Sequence, residues 1–201
     1  MDSVSQYLRE TERIISEMRH ETVEPALDIL LAAWRGRRHI FLVGNGGSAA
    51  TASHFANDLS KGTYVEGKPR FRAIALTDNV PLITAWGNDS GYEDVFVGQL
   101  AALMDPGDVV LAISASGNSP NVLRAVEHAR CEGGITIGWT GRTGGRLCGL
   151  VHYCICAPTE DVDQIENVHM ILDHLFTVSL RRAVMADAAE VRSVRGIGES
   201  V

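Results

Sequence analysis

Two pairs of imidazole and carboxylate side chains have the residue types and the spacing for chemistry. His54 and Asp58 are four residues apart, so they share one face of a helix. Glu166 and His174 are eight residues apart, which is roughly 12 Å along a regular helix. An ordinary ion pair is the alternative reading of His54 and Asp58.

Together, two imidazoles and two carboxylates suit zinc or a similar divalent ion, and they could also divide the roles of general acid and base. One compact site using both pairs needs long side chains that lean together, a broken helical turn or a contribution from another subunit. His169 and Asp173 belong to the same cluster on the last predicted helix, without an assigned role.

The stretch 39–58 predicts a buried strand, a glycine turn (GNGGS, 44–48) and a helix. Glycines let the backbone approach a ligand closely, and the N–H groups of a first helical turn favour an anion such as phosphate, with Ser48 as cap or donor. The spacing is neither a Walker A motif nor the dinucleotide fingerprint G-x-G-x-x-G. The turn is therefore a phosphate site or simply a tight strand-to-helix turn.

A second polar loop repeats this arrangement. Residues 109–113 predict a strand, and residues 114–120 (SASGNSP) lead from it into a helix over 121–130. The loop offers hydroxyl and N–H donors without a fixed charge, and Pro120 suits the first turn of a helix. Because ligands bind at the carboxyl ends of strands in open parallel sheets, we favour phosphate binding over a plain turn.

Strands alternate with helices along most of the chain. The predicted strands are residues 39–43, 71–76, 109–113, 134–139 and 151–156, and the later helices are 77–86, 92–104, 121–130 and 163–185, with a polar break at 87–91. This alternation predicts an α/β fold: a doubly wound, mainly parallel five-stranded sheet with helices on both faces.

Two amphipathic helices are predicted ahead of the first strand, over residues 3–18 and 22–35. They either cover one face of the sheet or form an oligomer interface, and we favour the interface. The expected organisation is an N-terminal helical pair in residues 1–36, an α/β core in residues 37–186 of the same domain, and a polar, disordered tail in residues 187–201.

The composition excludes several classes of protein. A formal net charge of −7 over 201 residues argues against a nucleic-acid partner. No run is long and apolar enough for a membrane span, and the polar N-terminus does not look like a signal peptide, so a cytoplasmic protein is expected. Cys131, Cys148, Cys154 and Cys156 lack the paired C-x-x-C spacing of a zinc site, and reduced core thiols are expected.

Three separated motifs carry a family resemblance: GNGGSAATASHF at 44–55, GND at 87–89 followed by GYEDVF, and SASGNS at 114–119. With these motifs in order, the chain resembles the sugar isomerase (SIS) domain family and, within it, the phosphoheptose isomerases. The likeness runs from about Ile40 to the end of the last helix and includes the N-terminal helices. It implies a Rossmann-like SIS domain and a homotetramer whose active sites lie between subunits.

The resemblance implies that both polar loops hold the phosphosugar. The implied substrate-binding residues are Asn45, Gly46, Gly47, Ser48, Asn88, Asp89, Ser114, Ala115, Ser116, Ser119 and Glu166. The family's second loop usually reads Ser-Thr-Ser, so Ala115 loses a hydroxyl and keeps its backbone N–H.

The catalytic set departs from the family at two positions. The family has Glu where this chain has Asp58, and Gln where it has Glu166. By resemblance, Asp58 is the base, His174 is the acid, and His54, Asp58, Glu166 and His174 form a zinc site. Asp58 keeps the charge on a shorter arm, and Glu166 adds a negative charge that strengthens metal binding or raises the pKa of a neighbour.

The implied activity is aldose–ketose isomerisation, converting D-sedoheptulose 7-phosphate to D-glycero-D-manno-heptose 7-phosphate through an enediol. Two alternatives stay open: an isomerase of another phosphosugar, and a non-catalytic SIS module that binds a sugar phosphate or a protein, like the DnaA-binding initiator protein. The presence of His54, Asp58 and His174 favours the enzyme.

Overall fold

The computed structural model describes residues 2–197, and the chain begins there with two helices. Helix α1 (Asp2–Ser16) and helix α2 (Glu24–Arg35) are joined by a single 3-10 turn at His20–Thr22. Pro25 lies in the first turn of α2, where a missing N–H costs no hydrogen bond. Both helices pack against the last helix of the chain and bury apolar side chains in the core that it shares with the sheet.

Five strands form one sheet, and every pairing in it is parallel. The strands are β1 (His39–Gly44), β2 (Arg72–Ala75), β3 (Val109–Ile113), β4 (Ile135–Thr140) and β5 (Tyr153–Cys156). Their order is β2-β1-β3-β4-β5. Because β1 and β3 are neighbours and the chain winds in opposite directions from them, the sheet has its topological switch point between these two strands.

Helices connect the strands and cover both faces of the sheet. They are α3 (Gly47–Asn57), which continues into a π-helical turn (Asp58–Gly62), α4 (Val80–Asp89), α5 (Val97–Leu103) after a 3-10 turn (Tyr92–Asp94), α6 (Pro120–Cys131), α7 (Gly145–Leu150) and α8 (Val162–Ile197). The prediction of a doubly wound α/β fold with a five-stranded sheet is confirmed.

Alternation along the strands builds a core on each face. Ile40 and Leu42 of β1 point to the face covered by α1, α2, α3 and α8, whereas Phe41 and Val43 point to the face covered by α5, α6 and α7. The first face holds an aromatic cluster of Phe55, Trp139 and Phe176. Phe55 stacks on Trp139 with ring centroids 5.3 Å apart, a contact that contributes about 0.5–1.5 kcal/mol beyond its burial.

The middle of the chain corrects two predicted boundaries. Helix α4 runs through 87–89, where a polar break was expected. Asn79 caps its start by accepting a hydrogen bond from the Leu82 N–H. The helix expected over 92–104 is a 3-10 turn followed by the short α5.

Near the C-terminus the structure contains more helix than the sequence predicts. The six residues of α7 fall where only a turn was expected, and α8 continues beyond Met185 to Ile197, because that segment is alanine-rich and has no glycine or proline before Gly196. The tail was expected to be disordered from residue 187, and its last residues, 198–201, lie outside the described part.

The cysteine prediction is wrong in part. All four cysteines are free, but Cys131 and Cys148 are exposed and Cys154 and Cys156 are half-buried, rather than core residues. Across residues 2–197, no helix combines the length and the apolar character that crossing a membrane requires.

Candidate active site

The two polar loops meet at the carboxyl edge of the sheet. Val43 pairs with Ala112 and Gly44 with Ile113, so the loops that follow β1 and β3 leave the sheet side by side. Between them lies a cavity of about 250 Å³, lined by Asn45, Ser48, Ile113, Ser114, Ala115, Ser116, Ser119, Val162 and Glu166. Helices α3 and α6 begin at this cavity, so their N-terminal N–H groups and partial positive charge favour an anion there.

The glycines of the first loop are required by space and by backbone conformation. Gly46 has a φ of 54°, which favours glycine. A Cβ on Gly44 would lie 2.7 Å from the carbonyl oxygen of Ser48, and one on Gly47 would overlap the carboxylate of Glu166. The loop therefore brings its backbone, and Gly47 in particular, into close contact with a side chain of α8.

Asn45 is held by a network that sequence analysis does not identify. The side chains of Asn45 and Asn121 exchange two hydrogen bonds, of 2.9 and 2.8 Å, and the Tyr92 hydroxyl donates to Asn45 Oδ1 at 3.1 Å. Asn121 is buried in the first turn of α6. In the sequence, the available signal was the amide side chain of Asn121 directly after the second polar loop. The first polar loop, which this amide supports through Asn45, lies 76 positions away in sequence.

The serines of the second loop face the same cavity. Ser114 and Ser119 hydroxyls are 3.3 Å apart, and Ser116 Oγ accepts a hydrogen bond from the Asn118 N–H. Gly117, with a φ of 63°, packs against the backbone at Gly144 before α7. The loop is thereby fixed at both ends, while its hydroxyls and the Ala115 backbone line the cavity.

A second group of functional side chains lies farther along α3 and α8. His54 Nε2 is 3.3 Å from His174 Nε2 and 3.7 Å from Asp58 Oδ2. Ligand atoms of these three residues all lie within 4.8 Å of one another. Asp58 opens a π-helical turn, a feature found often at functional sites because it alters the direction of side chains.

Glu166 does not join this His/Asp cluster of His54, Asp58 and His174. It lines the cavity between the two polar loops and lies against Gly47, about two turns of α8 before His174. Within one chain, the predicted four-residue metal set is therefore split, with three members together and Glu166 at the cavity.

Asp173 lies beneath the His/Asp cluster and is fully buried. Its Oδ2 is 3.9 Å from His54 Nε2 and has no hydrogen-bond partner among the described residues, while Oδ1 accepts from Thr177 at 3.5 Å. Burial, together with the negative charge of Asp58, raises the pKa of Asp173 to about 7. A second carboxyl group, which binds a proton far more readily than an exposed aspartate, therefore lies next to the cluster.

His169, the other imidazole of α8, is a core residue. Its Nε2 is 3.3 Å from the carbonyl oxygen of Thr140, so Nε2 carries the proton, and its ring lies 6.1 Å from that of Trp139. Burial lowers the pKa of His169 to about 4. It is a neutral support for α8 against the sheet.

Asn88 and Asp89 lie outside the cavity of their own chain. They form the last two residues of α4, are exposed, and bond to each other through Asn88 Nδ2 and Asp89 Oδ1 at 2.8 Å. The structure therefore does not bring these two predicted substrate-binding residues to the two polar loops of the same chain.

The donor set of the His/Asp cluster fits a zinc ion. Two imidazole nitrogens and one carboxylate oxygen match the three protein ligands common in catalytic zinc sites, which keep an open position. The buried oxygen of Asp173, which has no hydrogen-bond partner among the described residues, is a fourth possible donor atom beside them.

The fold and both loops are those of the SIS domain family, whose model matches residues 6–141, and the chain belongs to this family. Within it, the chain belongs with the phosphoheptose isomerases. The one from Bradyrhizobium sp. (strain ORS 278) is 42% identical over 159 residues, which is 79% of this chain and 80% of the relative. The one from Aquifex aeolicus is 35% identical over 178 residues, 87% of this chain and 93% of the relative.

A solved structure agrees with this assignment. The phosphoheptose isomerase of Neisseria gonorrhoeae superposes with a TM-score of 0.82 at 33% identity, covering 89% of this chain and 97% of that one. The family resemblance predicted from the three sequence motifs is confirmed.

Proposed function

We propose that the protein is a phosphoheptose isomerase that converts D-sedoheptulose 7-phosphate to D-glycero-D-manno-heptose 7-phosphate. The observation that carries this proposal is the separation of the two parts of the site along α3. Ser48 lies at the phosphate cavity and His54 lies six residues later, about 9 Å along the helix. In open-chain sedoheptulose 7-phosphate, the reacting carbons are at the opposite end from the phosphate, as this geometry requires.

Helix α8 separates the two parts of the site in a similar way, by about 12 Å. Glu166 lies at the cavity and His174 lies eight residues later in the His/Asp cluster. We assign the backbone N–H groups of the two loops and the hydroxyls of Ser48, Ser114, Ser116 and Ser119 to the phosphate. Because a carboxylate repels phosphate, we assign Glu166 to hydroxyl groups of the sugar.

In the reaction, Asp58 removes a proton from C1 of the ketose, and the electron pair forms the C1–C2 double bond of an enediol. The O2 atom gains a proton as the carbonyl is lost. Asp58 then returns a proton to C2, and O1 releases its proton as the aldehyde forms. His174 exchanges protons with these oxygens. A positioned acid or base typically contributes about 10²–10⁴-fold to the rate.

Zinc is part of the proposal, with His54, Asp58 and His174 as the residues that would hold it. A bound zinc ion polarises a carbonyl oxygen as a Lewis acid. His54 keeps Asp58 and His174 in place, since its Nε2 is within 4 Å of a ligand atom of each. Asp58 has two carboxylate oxygens, so one can bind while the other accepts the proton.

A homotetramer with shared active sites is also proposed. Helices α1 and α8 both carry exposed apolar side chains. Val4 and Leu8 of α1 are 65% and 62% exposed, and Ile171 and Leu175 of α8 are partly exposed. An apolar cavity of about 360 Å³ between α1, α2 and α8 adds to this surface. Patches of this kind mark interfaces. Asn88 and Asp89, exposed beyond their own cavity, would then serve the site of a neighbouring subunit.

A cytoplasmic location completes the proposal, since charged sugar phosphates do not cross membranes unaided.

Light scattering on the purified chain tests the proposed homotetramer, and a stable monomer would be the contrary result.

The substrate is tested by comparing phosphosugars of different length. We expect kcat/KM for sedoheptulose 7-phosphate to exceed that for a ketopentose 5-phosphate or a ketohexose 6-phosphate by about 100-fold or more, because a shorter chain cannot span both parts of the site. Equal or better turnover of a shorter sugar would favour the alternative, an isomerase of another phosphosugar.

A further inference from the structure

We propose that Cys148, Cys154 and Cys156 form a second metal site, for a thiophilic d10 ion such as Zn(II) or Cu(I), separate from the active site. The three Sγ atoms all lie within 4.8 Å of one another, although they come from two elements of structure. Cysteine thiolates in this arrangement select soft ions of this class.

The fold brings the three sulfurs together. Cys154 and Cys156 are two residues apart on β5, so they point to the same face of the sheet. Helix α7 connects β4 to β5 and places Cys148 over that face. A Cβ on Gly144, just before α7, would lie 2.6 Å from Cys148 Cβ and 3.2 Å from Cys148 Sγ, so only glycine permits this approach.

The sulfur spacing matches metal ligands. Cys154 Sγ and Cys156 Sγ are 3.8 Å apart. Two sulfurs bound to zinc at about 2.3 Å with tetrahedral angles are separated by about 3.8 Å, whereas a disulfide bond is about 2.05 Å long. The pair therefore already has the separation that one shared ion requires.

Hydrogen bonds prepare one sulfur for binding. The Thr140 hydroxyl donates to Cys156 Sγ at 3.2 Å, and Cys154 also lies in contact with it. A hydrogen bond donated to sulfur favours its charged, thiolate form. The thiolate is the form of cysteine that binds metals.

The site is open on one side and lies away from the catalytic residues. Cys148 is exposed, so water or a further ligand can complete the coordination. Cys154 packs with the core on the face covered by α5, α6 and α7, whereas the His/Asp cluster lies on α3 and α8 of the other face.

The test is a cadmium titration of the full-length, reduced protein, followed through the ultraviolet charge-transfer band that only sulfur ligands give. We expect saturation at one ion per chain, with Zn(II) or Cu(I) displacing the probe. Cys148→Ser, Cys154→Ser and Cys156→Ser should each weaken binding by about 100-fold or more, since even outer-shell changes cost about 10–100-fold. The matched control, Cys131→Ser, should bind as the wild type does, because Cys131 is an exposed cysteine at the end of α6.

Two further arms make the result decisive. The variant His54→Ala/His174→Ala should keep the band, which separates this site from the proposed active-site zinc. In the unmodified protein, cadmium should protect Cys148, Cys154 and Cys156, but not Cys131, from alkylation measured by mass spectrometry. No band at one equivalent of cadmium in the His54→Ala/His174→Ala variant, an equal loss in Cys131→Ser, or equal alkylation with and without cadmium would overturn the proposal.

Discussion

The Nε2 atoms of His54 and His174 lie 3.3 Å apart, although 120 positions separate the two residues in sequence. This contact joins α3 to α8, and the same two helices meet at the cavity between the two polar loops through Gly47 and Glu166. The packing of one helix pair therefore sets both the position of the proposed phosphate site and the position of the proposed reacting groups.

Replacing the proposed base tests its role directly. Asp58→Asn should lower kcat by about 10²–10⁴-fold, because the amide cannot accept the carbon-bound proton. The affinity for inorganic phosphate should stay unchanged, since Asp58 does not line the cavity. Kinetics and phosphate binding by calorimetry provide the measurements. The matched control is Asp105→Asn, because Asp105 is an exposed residue before β3 at the opposite edge of the sheet. A wild-type kcat in Asp58→Asn would exclude Asp58 as the base.

Gly47→Ala should impair substrate binding while the protein stays folded. The added Cβ overlaps the carboxylate of Glu166, so this carboxylate must leave its present position in the lining of the cavity. A displacement of about 1 Å at such a site can cost about 10²-fold, so a rise in KM of at least tenfold is expected. Gly149→Ala is the control, because its Cβ would meet nothing within 4 Å. Identical KM values for the two variants would contradict the close contact.

The Asn45 network predicts graded effects. Asn121→Ala leaves the buried side of Asn45 without its partner and should cost about 1–3 kcal/mol of stability. It should also raise KM, since Asn45 lines the cavity. Tyr92→Phe removes one exposed hydrogen bond and should cost about 1 kcal/mol or less. Denaturant unfolding and KM measure both effects, and a larger loss in Tyr92→Phe than in Asn121→Ala would reverse the expected order.

His169 makes folding stability depend on pH. Its pKa falls from 6.5 to about 4 on folding, so between these values the unfolded chain binds a proton that the folded chain does not. The stability present above pH 6.5 should fall as pH drops to 4, by about 3 kcal/mol from this group. In His169→Gln, which keeps a donor for the Thr140 carbonyl, the loss should be smaller by that amount. If the free energy of unfolding fell by the same amount in both proteins between pH 7 and pH 4, this role would be refuted.

The sheet and both loops could be predicted because their signals are local. Each central strand is an apolar, β-branched run that ends at glycines or serines, and the two runs that become β1 and β3 carry the motifs of the cavity. The separation of Glu166 from His174 was also foreseeable, since eight residues on one helix span about 12 Å.

What the sequence did not predict depends on tertiary contacts. Asn121 and Tyr92 act on Asn45 from 76 and 47 positions away. Helix α7 has only six residues, two of them glycines, and no periodic pattern can be recognised over so short a segment. Without α7, Cys148 could not be placed beside Cys154 and Cys156, so the cysteine cluster emerges only from the fold.

The most direct test of the account follows the reaction itself in heavy water. The purified protein, chelated and then with or without added zinc, is incubated with sedoheptulose 7-phosphate and examined by NMR. We expect conversion to an aldoheptose 7-phosphate in the zinc-restored sample, with solvent deuterium incorporated at C1 of the ketose and C2 of the product. An absence of conversion in both samples, with the oligomer intact and phosphate still bound, would contradict the proposed isomerase.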